Sequence, residues 1–258
     1  MKKLNKLSVN GIWHVIQRNW MSFKKLIKIS IFPNLFDPIL YLAAMGLGIG
    51  HFVGHIGGMP YLNFVSLGLV AATGMNAANA ESVTNAYIQM YLDKTYYEMS
   101  TSPINLEEII VGQALWAGVR STIFGTLFLL VTLFMGILQS WMVVFIPVIL
   151  FITGTLFGFL GLTFTLLAPT RDYLNYFSML IIQPMYMFSN TFFPLGSVSP
   201  WLRNVGWLSP LTHAVDLIRQ MATGAVTLQS LNDIIWLIIV AVVLSFVPQS
   251  IVRSKLNY

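Results

Sequence analysis

The sequence predicts an all-α membrane protein that crosses the bilayer six times. Of its 258 residues, 56% are hydrophobic and 9% are charged, against about 25% charged residues in a typical soluble domain. The apolar residues also come in blocks too long for the core elements of a soluble protein. We therefore expect a single membrane domain over residues 1–258.

Six apolar blocks are each long enough to cross about 30 Å of hydrocarbon as a helix. Pro33, Pro38, Pro147 and Pro184 lie inside these blocks, and because proline removes a backbone hydrogen bond, kinked helices are predicted there. The predicted spans are residues 29–50, 61–91, 109–137, 142–168, 173–193 and 234–252.

Residues 1–28 have the pattern of an amphipathic helix that lies in the membrane surface. Arg18, Asn19 and Lys25 fall away from an apolar stripe with three- and four-residue spacing. The stripe consists of Ile12, Ile16, Trp20, Phe23 and Ile27. The alternative is that this segment is the cytoplasmic start of the first span.

The basic residues predict the orientation, because positively charged segments stay in the cytoplasm. With the N-terminus inside, only Arg203 and Arg219 fall outside, so both termini are predicted to be cytoplasmic. The net charge of +5 is thus assigned to anionic lipid rather than nucleic acid, since no aromatic residues alternate with the basic ones. The inner basic residues are Lys2, Lys3, Lys6, Arg18, Lys24, Lys25, Lys28, Lys94, Arg171, Arg253 and Lys255.

The outer connection, residues 194–230, is long and apolar, which predicts a re-entrant segment of two short helices. The alternative is a seventh span broken by Pro210. That span would have to remove several polar side chains from water at a cost of several kcal/mol. These side chains are Arg203, His213, Asp216 and Arg219.

The inner connection, residues 92–105, predicts a short amphipathic helix on the cytoplasmic side. Pro103 ends it, and Asn105 can cap the helix that follows. Tyr96, Tyr97 and Met99 together are hard to explain in a solvated loop, and exposed aromatic residues favour a partner surface.

Polar residues inside the predicted spans cost free energy unless they are paired or wet. Asn76 and Asn79 share a helix face, so they line either a wet cavity or a helix–helix contact. Glu81 and Arg120 are predicted to pair across neighbouring helices.

Several motifs argue against catalysis or metal binding by this chain. The sequence has no Gly-x-x-x-x-Gly-Lys-Ser/Thr motif for nucleotide phosphates. His51 and His55 have a metal-ligand spacing but no acidic or thiol residue nearby to complete a site. Ser209, His213 and Asp216 are too close in sequence to converge as a catalytic triad, and Ser209 is better explained as a helix cap before Pro210.

Three stretches resemble the permease subunits of type-2 ABC exporters, which include exporters of O-antigen, nodulation factor, teichoic acid and daunorubicin. The resemblance covers essentially the whole chain and matches its order of parts. The stretches are Asp37–Leu42 leading into Gly46–Gly48, Lys94–Tyr96 through Ser102–Ile104, and Phe192–Leu195 through Pro210–Asp216.

The resemblance implies a half-transporter that dimerises with a second permease copy and docks two ABC ATPase subunits. ATP and Mg²⁺ would belong to the ATPase, with no cofactor in this chain. The inner connection would be the coupling helix that contacts the ATPase. Its predicted coupling residues are Asp93, Lys94, Thr95, Tyr96, Tyr97, Glu98, Met99 and Pro103.

We further expect Asn76 and Asn79 to face the translocation path or the dimer interface, and Phe192, Phe193 and Trp207 to form an outer constriction. Walls rich in Phe and Met suit a lipid-linked glycan or an amphiphilic molecule better than a small ion. The predicted location is a bacterial inner membrane. The alternative function is an intramembrane lipid- or glycan-modifying enzyme, although the four His are scattered along the chain.

Overall fold

The computed structural model of this chain describes residues 7–256, with side chains up to residue 254. Lys2, Lys3 and Lys6, which contributed to the predicted orientation, lie outside these residues, as does the side chain of Lys255.

The described part of the chain is predominantly helical. The α-helices are α1 (Val9–Ala43), α2 (Gly50–Val53), α3 (Tyr61–Asn79), α4 (Thr95–Thr101), α5 (Leu106–Phe134), α6 (Ile146–Leu167), α7 (Arg171–Phe177), α8 (Gln183–Met187), α9 (Leu195–Val198), α10 (Pro200–Trp207), α11 (Pro210–Thr223) and α12 (Leu228–Leu256). The π-helical segments Ala44–Ile49, Ala80–Asn85, Ile88–Leu92 and Ser178–Ile182 adjoin them, and a 3₁₀ turn, Trp141–Phe145, precedes α6. An antiparallel pair of strands, β1 (His55–Ile56) and β2 (Met59–Pro60), joins α2 to α3.

Four helices in the described residues are long and apolar enough to cross a membrane. They are Val9–Val53, Leu106–Phe134, Trp141–Leu167 and Leu228–Ser254. These helices support the predicted all-α membrane class, whereas the count of six crossings stays a prediction.

The two other predicted spans are helical but differ from these four. Residues 61–92 form one helical run in which the polar side chains of Asn76, Asn79 and Glu81 lower the hydropathy. The predicted span 173–193 is shorter than expected, because α8 ends at Met187. The chain then bends through Asn190, which adopts a left-handed conformation with φ 58°.

The predicted surface helix and first span are not separate elements. A single helical run extends from Val9 to Val53 without a break near residue 28. No Gly or Pro lies between Val15 and Phe32 to end the helix. Pro33 and Pro38 are accommodated inside α1. In this respect the structure agrees with the alternative interpretation, in which residues 1–28 lead directly into the first span.

The core is built around α5 and α6, which pack closely along their length. Gly158 of α6 lies against the α5 backbone, where an added Cβ would be 2.8 Å from the carbonyl oxygen of Ala114. Backbone atoms cannot move aside as a side chain can, so this approach requires glycine. The small-residue face formed by Gly154 and Gly158 therefore contacts α5.

The helices α1 and α12 lie at the rim of the bundle. Only 11% of the apolar window is buried in each, against 50% in α5 and 56% in α6. Their remaining apolar surface is available to lipid or to another protein chain.

The outer connection contains three short helices (α9, α10 and α11) rather than the two predicted. Pro200 and Pro210 each occupy the first position of a helix, which proline favours. Gly224 ends α11 in a left-handed conformation with φ 78°. Buried α11 residues pack against α3, α6 and α12, so the connection folds back onto the bundle.

Candidate coupling helix and translocation face

The predicted inner helix is α4, a seven-residue helix between two longer helical segments. Lys94 precedes it in a left-handed conformation with φ 53°, which turns the chain sharply after the π-helical segment Ile88–Leu92. Ser102 is extended and Pro103 follows it, so the helix cannot continue. Glu108 accepts a hydrogen bond of 3.0 Å from the backbone N–H of Asn105 and thereby caps the start of α5.

The α4 helix has one buried face and one exposed face. Thr95 and Tyr96 are buried, whereas the Tyr97 side chain is 70% exposed and Glu98 is also exposed. The expectation that all the aromatic residues of this helix are exposed is therefore wrong for Tyr96. A turn that places Tyr97 outward places its neighbour Tyr96 inward, against α5 and the N-terminal helix.

Tyr96 anchors α4 in an apolar cluster between α1, α5 and α6. It packs with Val15, Ile109, Ala114 and Leu162 of those helices. Among the described residues, the Tyr96 hydroxyl finds no hydrogen-bond partner. Burial and the nearby carboxylate of Glu81 raise the pKa of Tyr96 above its ordinary value, so the hydroxyl stays neutral. A displacement of α4 must therefore move or strain this cluster.

A buried polar network lies next to that cluster, with Glu81 at its centre. The Nη1 atom of Arg120 lies 2.8 Å from Oε2 of Glu81. Asn85 donates to the same oxygen at 2.7 Å, and Gln113 donates to Oε1 at 2.9 Å. The guanidinium of Arg120 also lies over the ring of Phe23, 5.1 Å from its centroid. The carboxylate is thus hydrogen-bonded on both oxygens, as a buried charge requires.

The network extends into the N-terminal helix α1 through Asn19, a residue that the sequence pattern predicts on the polar face of that helix. Asn19 is 3% exposed and donates to Gln113 Oε1 at 2.7 Å. Arg18 bonds Asn19 Oδ1 at 2.9 Å and Gln89 Oε1 at 3.1 Å. Asn19 had been assigned to the polar face. The one signal for its burial is Gln113, a polar residue in an otherwise apolar helix that needs a partner.

The two asparagines of α3 do lie at an open face of this chain. Asn76 is exposed and Asn79 is half-buried. Asn79 donates a long hydrogen bond of 3.4 Å to Ser178, while its Oδ1 atom has no partner. Thr84 is exposed further along the same helical run. These residues give this part of the bundle surface a polar stripe.

Of the three aromatic residues predicted to form an outer constriction, Phe192 and Phe193 both pack in the main apolar core. Phe192 is buried, 5.1 Å from Tyr186 between ring centroids and 6.3 Å from Tyr41. Phe193 contacts Phe188 instead. Trp207 lies at the end of α10, half exposed. An outer constriction made by Phe192, Phe193 and Trp207 stays a prediction.

The sequence predicts that no catalytic triad forms from Ser209, His213 and Asp216. In the structure these three side chains have separate partners. His213 pairs with Asp233 at 2.7 Å. Asp216 instead accepts a hydrogen bond of 3.1 Å from Asn190. Ser209 precedes α11, but its hydroxyl lies 2.7 Å from that of Ser189 rather than capping the helix. Among the described residues, no group of three His, Asp or Glu lies close enough to hold a metal ion.

A second buried cation holds the outer connection onto the bundle. Arg219 of α11 donates to the carbonyl oxygen of Phe64 at 3.0 Å and to that of Asn190. Its guanidinium also lies over the Phe64 ring, 3.5 Å from the centroid. The sequence predicts Arg219 to be an outer basic residue that avoids the membrane interior, but it does not indicate these partners. A cation satisfied by carbonyl oxygens and a ring leaves no signal in the sequence.

The geometry describes a helical membrane protein with a short helix, α4, anchored on the bundle, a polar stripe and buried ion pairs. Residues 10–222 match the sequence profile of the ABC-2 type transporter family. The chain therefore belongs to the ABC-2 type transporter family, whose members are transport permeases.

Individual relatives agree with this assignment. The chain is 31% identical over 214 residues to Nodulation protein J of Neorhizobium galegae, covering 83% of this chain and 80% of that protein. It is 29% identical over 253 residues to Nodulation protein J of Rhizobium meliloti strain 1021, covering 97% and 96%. It is also 23% identical over 223 residues to the inner membrane transport permease YadH of Escherichia coli K12, covering 85% and 84%. The chain is thus similar along most of its length to nodulation proteins J and to a transport permease.

Proposed function

We propose that this chain is the permease subunit of an ATP-driven exporter that moves a lipid-linked glycan or an amphiphilic molecule out of the cytoplasm or inner leaflet. The observation that carries the proposal is the two-sided environment of α4. Its exposed face has an aromatic and an acidic side chain, Tyr97 and Glu98, while its buried face contacts the bundle through Tyr96.

The α4 helix supplies what a coupling helix needs. A separate ATPase subunit can bind Tyr97 and Glu98, because this face of the helix is exposed. Motion of the helix then passes through Tyr96 to α1, α5 and α6. The adjacent Glu81 network joins α1 to α5, so these helices move together. ATP and Mg²⁺ act on the ATPase, and this chain contributes the mechanical contact.

The polar stripe on α3 supports a path or an interface between two permease copies. Exposed Asn76 is costly in contact with lipid, because an amide without a partner loses hydrogen bonds to water. A second copy of the chain, or a wet cavity between two copies, removes that cost. The proposed assembly contains two permeases and two ATPase subunits in a bacterial inner membrane, with both permease termini in the cytoplasm.

The amphiphilic cargo is proposed from the apolar surface of the bundle. Of the relatives, one is named Nodulation protein J and another is named a transport permease, YadH. The apolar outer surfaces of α1 and α12 suit cargo that remains partly in lipid.

Co-purification with the ATPase tests this function. A tagged chain is extracted in mild detergent, and the retained proteins are identified by mass spectrometry together with ATP hydrolysis. Tyr97→Ala should release a nucleotide-binding subunit. Tyr173→Ala is the matched control, because Tyr173 is also more than half exposed but lies outside α4. A wild-type chain that retains no ATPase subunit would contradict the proposal and favour an intramembrane enzyme.

A further inference from the structure

A polar pocket of about 470 Å³ lies where α10 and α11 meet the start of α12, on the side predicted to face outward. This volume is within the range of roughly 300–1,000 Å³ found for small-molecule sites. The pocket is lined by Trp207, His213, Gln229, Asn232, Asp233 and Trp236.

The first turns of α12 supply most of this pocket. Gln229, Asn232, Asp233 and Trp236 recur at three- and four-residue intervals, so their side chains share one helix face. The indole ring of Trp207 completes the site from the end of α10, 6.0 Å from that of Trp236 between centroids. Two tryptophan rings and four polar side chains thus surround a common space.

The pocket contains polar capacity that this chain does not use. Asp233 is 5% exposed, and its Oδ2 atom has no hydrogen-bond partner although Oδ1 pairs with His213. Within residues 7–256, the exposed amides of Gln229 and Asn232 also lack protein partners. An acceptor buried without a partner costs free energy, which a hydrogen-bond donor on a ligand would recover.

The charges in the pocket favour a neutral ligand. His213 faces an acceptor on each nitrogen: Asp233 at 2.7 Å and the carbonyl oxygen of Trp207 at 2.8 Å. The imidazole of His213 is therefore engaged by hydrogen-bond acceptors on both sides, and Oδ1 of Asp233 is already taken by this contact. Among residues 7–254, no Lys or Arg lines the pocket. The pocket therefore lacks the Lys or Arg side chain that would attract a phosphate, and Oδ1 of its carboxylate, Asp233, is already hydrogen-bonded to His213.

We propose that this pocket binds neutral pyranose units of a glycan. The flat C–H face of a pyranose is apolar and can stack on an indole, while its hydroxyls both donate and accept hydrogen bonds. Trp207 offers a half-exposed ring for stacking. Asp233 offers a hydrogen-bond acceptor, and the amides of Gln229 and Asn232 offer both donors and acceptors. This assignment rests on the proposed export function and specifies the sugar part of the cargo.

The test uses the purified full chain in lipid nanodiscs and measures binding by saturation-transfer NMR titration. The probes are cellotetraose and chitotetraose as neutral oligosaccharides, choline as a cation and inorganic phosphate as an anion. We expect a tetrasaccharide to bind and choline and phosphate not to bind. The double variant Gln229→Ala/Asn232→Ala should weaken tetrasaccharide binding by about tenfold, as expected for the loss of one or two hydrogen bonds.

The choice of variants separates a loss of binding from a loss of folding. Gln229 and Asn232 are exposed, so replacing their side chains should leave the elution profile of the protein unchanged. Trp207→Ala removes the stacking surface and is a second test of tetrasaccharide binding. The matched control is Asn204→Ala, an exposed amide of α10 outside the pocket, which should bind as the wild type does. Absence of tetrasaccharide binding, or choline binding abolished by Asp233→Asn, would overturn the assignment. Retention of the ATPase subunit in the co-purification experiment would show that the export function stands even then.

Discussion

Tyr96 and Tyr97 are neighbours in the chain, but their side chains have opposite environments. Tyr96 is 4% exposed and Tyr97 is 70% exposed. The sequence identified both as partner-contacting residues, because composition alone does not show which side of a short helix meets the bundle. The structure divides their roles between anchoring α4 and presenting a surface.

Substitutions at these two tyrosines should therefore differ in stability. Tyr96→Ala is expected to cost about 3 kcal/mol or more, since it leaves a cavity among buried side chains. Tyr97→Ala should cost less than about 0.5 kcal/mol, because an exposed side chain packs little. Thermal unfolding of the detergent-solubilised chain measures both. Tyr96→Phe serves as the control and should be tolerated, because the lost hydroxyl has no partner. Equal effects of the two alanine variants would contradict the anchoring role.

The Glu81–Arg120 pair makes a second prediction at this scale. Glu81→Gln leaves the buried Arg120 guanidinium without its counter-charge, at a cost of about 3–5 kcal/mol. Adding Arg120→Gln should recover part of this loss, because the double variant has no unpaired charge. A double-mutant cycle of thermal unfolding measures the coupling. Strictly additive effects would show that the two side chains do not interact.

At the scale of helices, the approach of α5 to α6 depends on glycine. Gly158→Ala places a Cβ 2.8 Å from a backbone oxygen of α5 and should destabilise the protein by about 1–3 kcal/mol through overpacking. Gly48→Ala is the matched control, because nothing lies within 4 Å of its added Cβ. That variant should be neutral or slightly stabilising. Comparing their unfolding temperatures tests whether helix contact, rather than loss of glycine itself, decides the effect.

The sequence predicts which segments form helices better than it predicts where those helices begin and end. The apolar blocks located α5, α6 and α12 because hydrocarbon thickness sets a minimum length. The run Val9–Val53 was divided incorrectly, since the change from amphipathic to apolar pattern does not require a break in the backbone. The early end of α8 depends on Asn190, whose left-handed conformation is held by Asp216 and the backbone of Leu195.

For the whole molecule, the orientation in the membrane is directly testable. The sequence contains no cysteine, so single cysteines can be introduced without background. Asn204→Cys should react with a membrane-impermeant maleimide in spheroplasts, because α10 is predicted to lie outside. Thr101→Cys, also exposed, should react only after permeabilisation. Labelling of Thr101→Cys in unpermeabilised spheroplasts would reverse the predicted topology.

The sequence by itself determined the class of this protein, its main apolar helices and the position of the inner helix. These features depend on hydropathy, length and local turn residues, which are properties of short segments. The tertiary structure decided which polar residues meet: Asn19 with Gln113, Arg219 with backbone carbonyls, and His213 with Asp233 rather than Asp216. Such contacts join residues far apart in the chain, and only the packing of the helices fixes them.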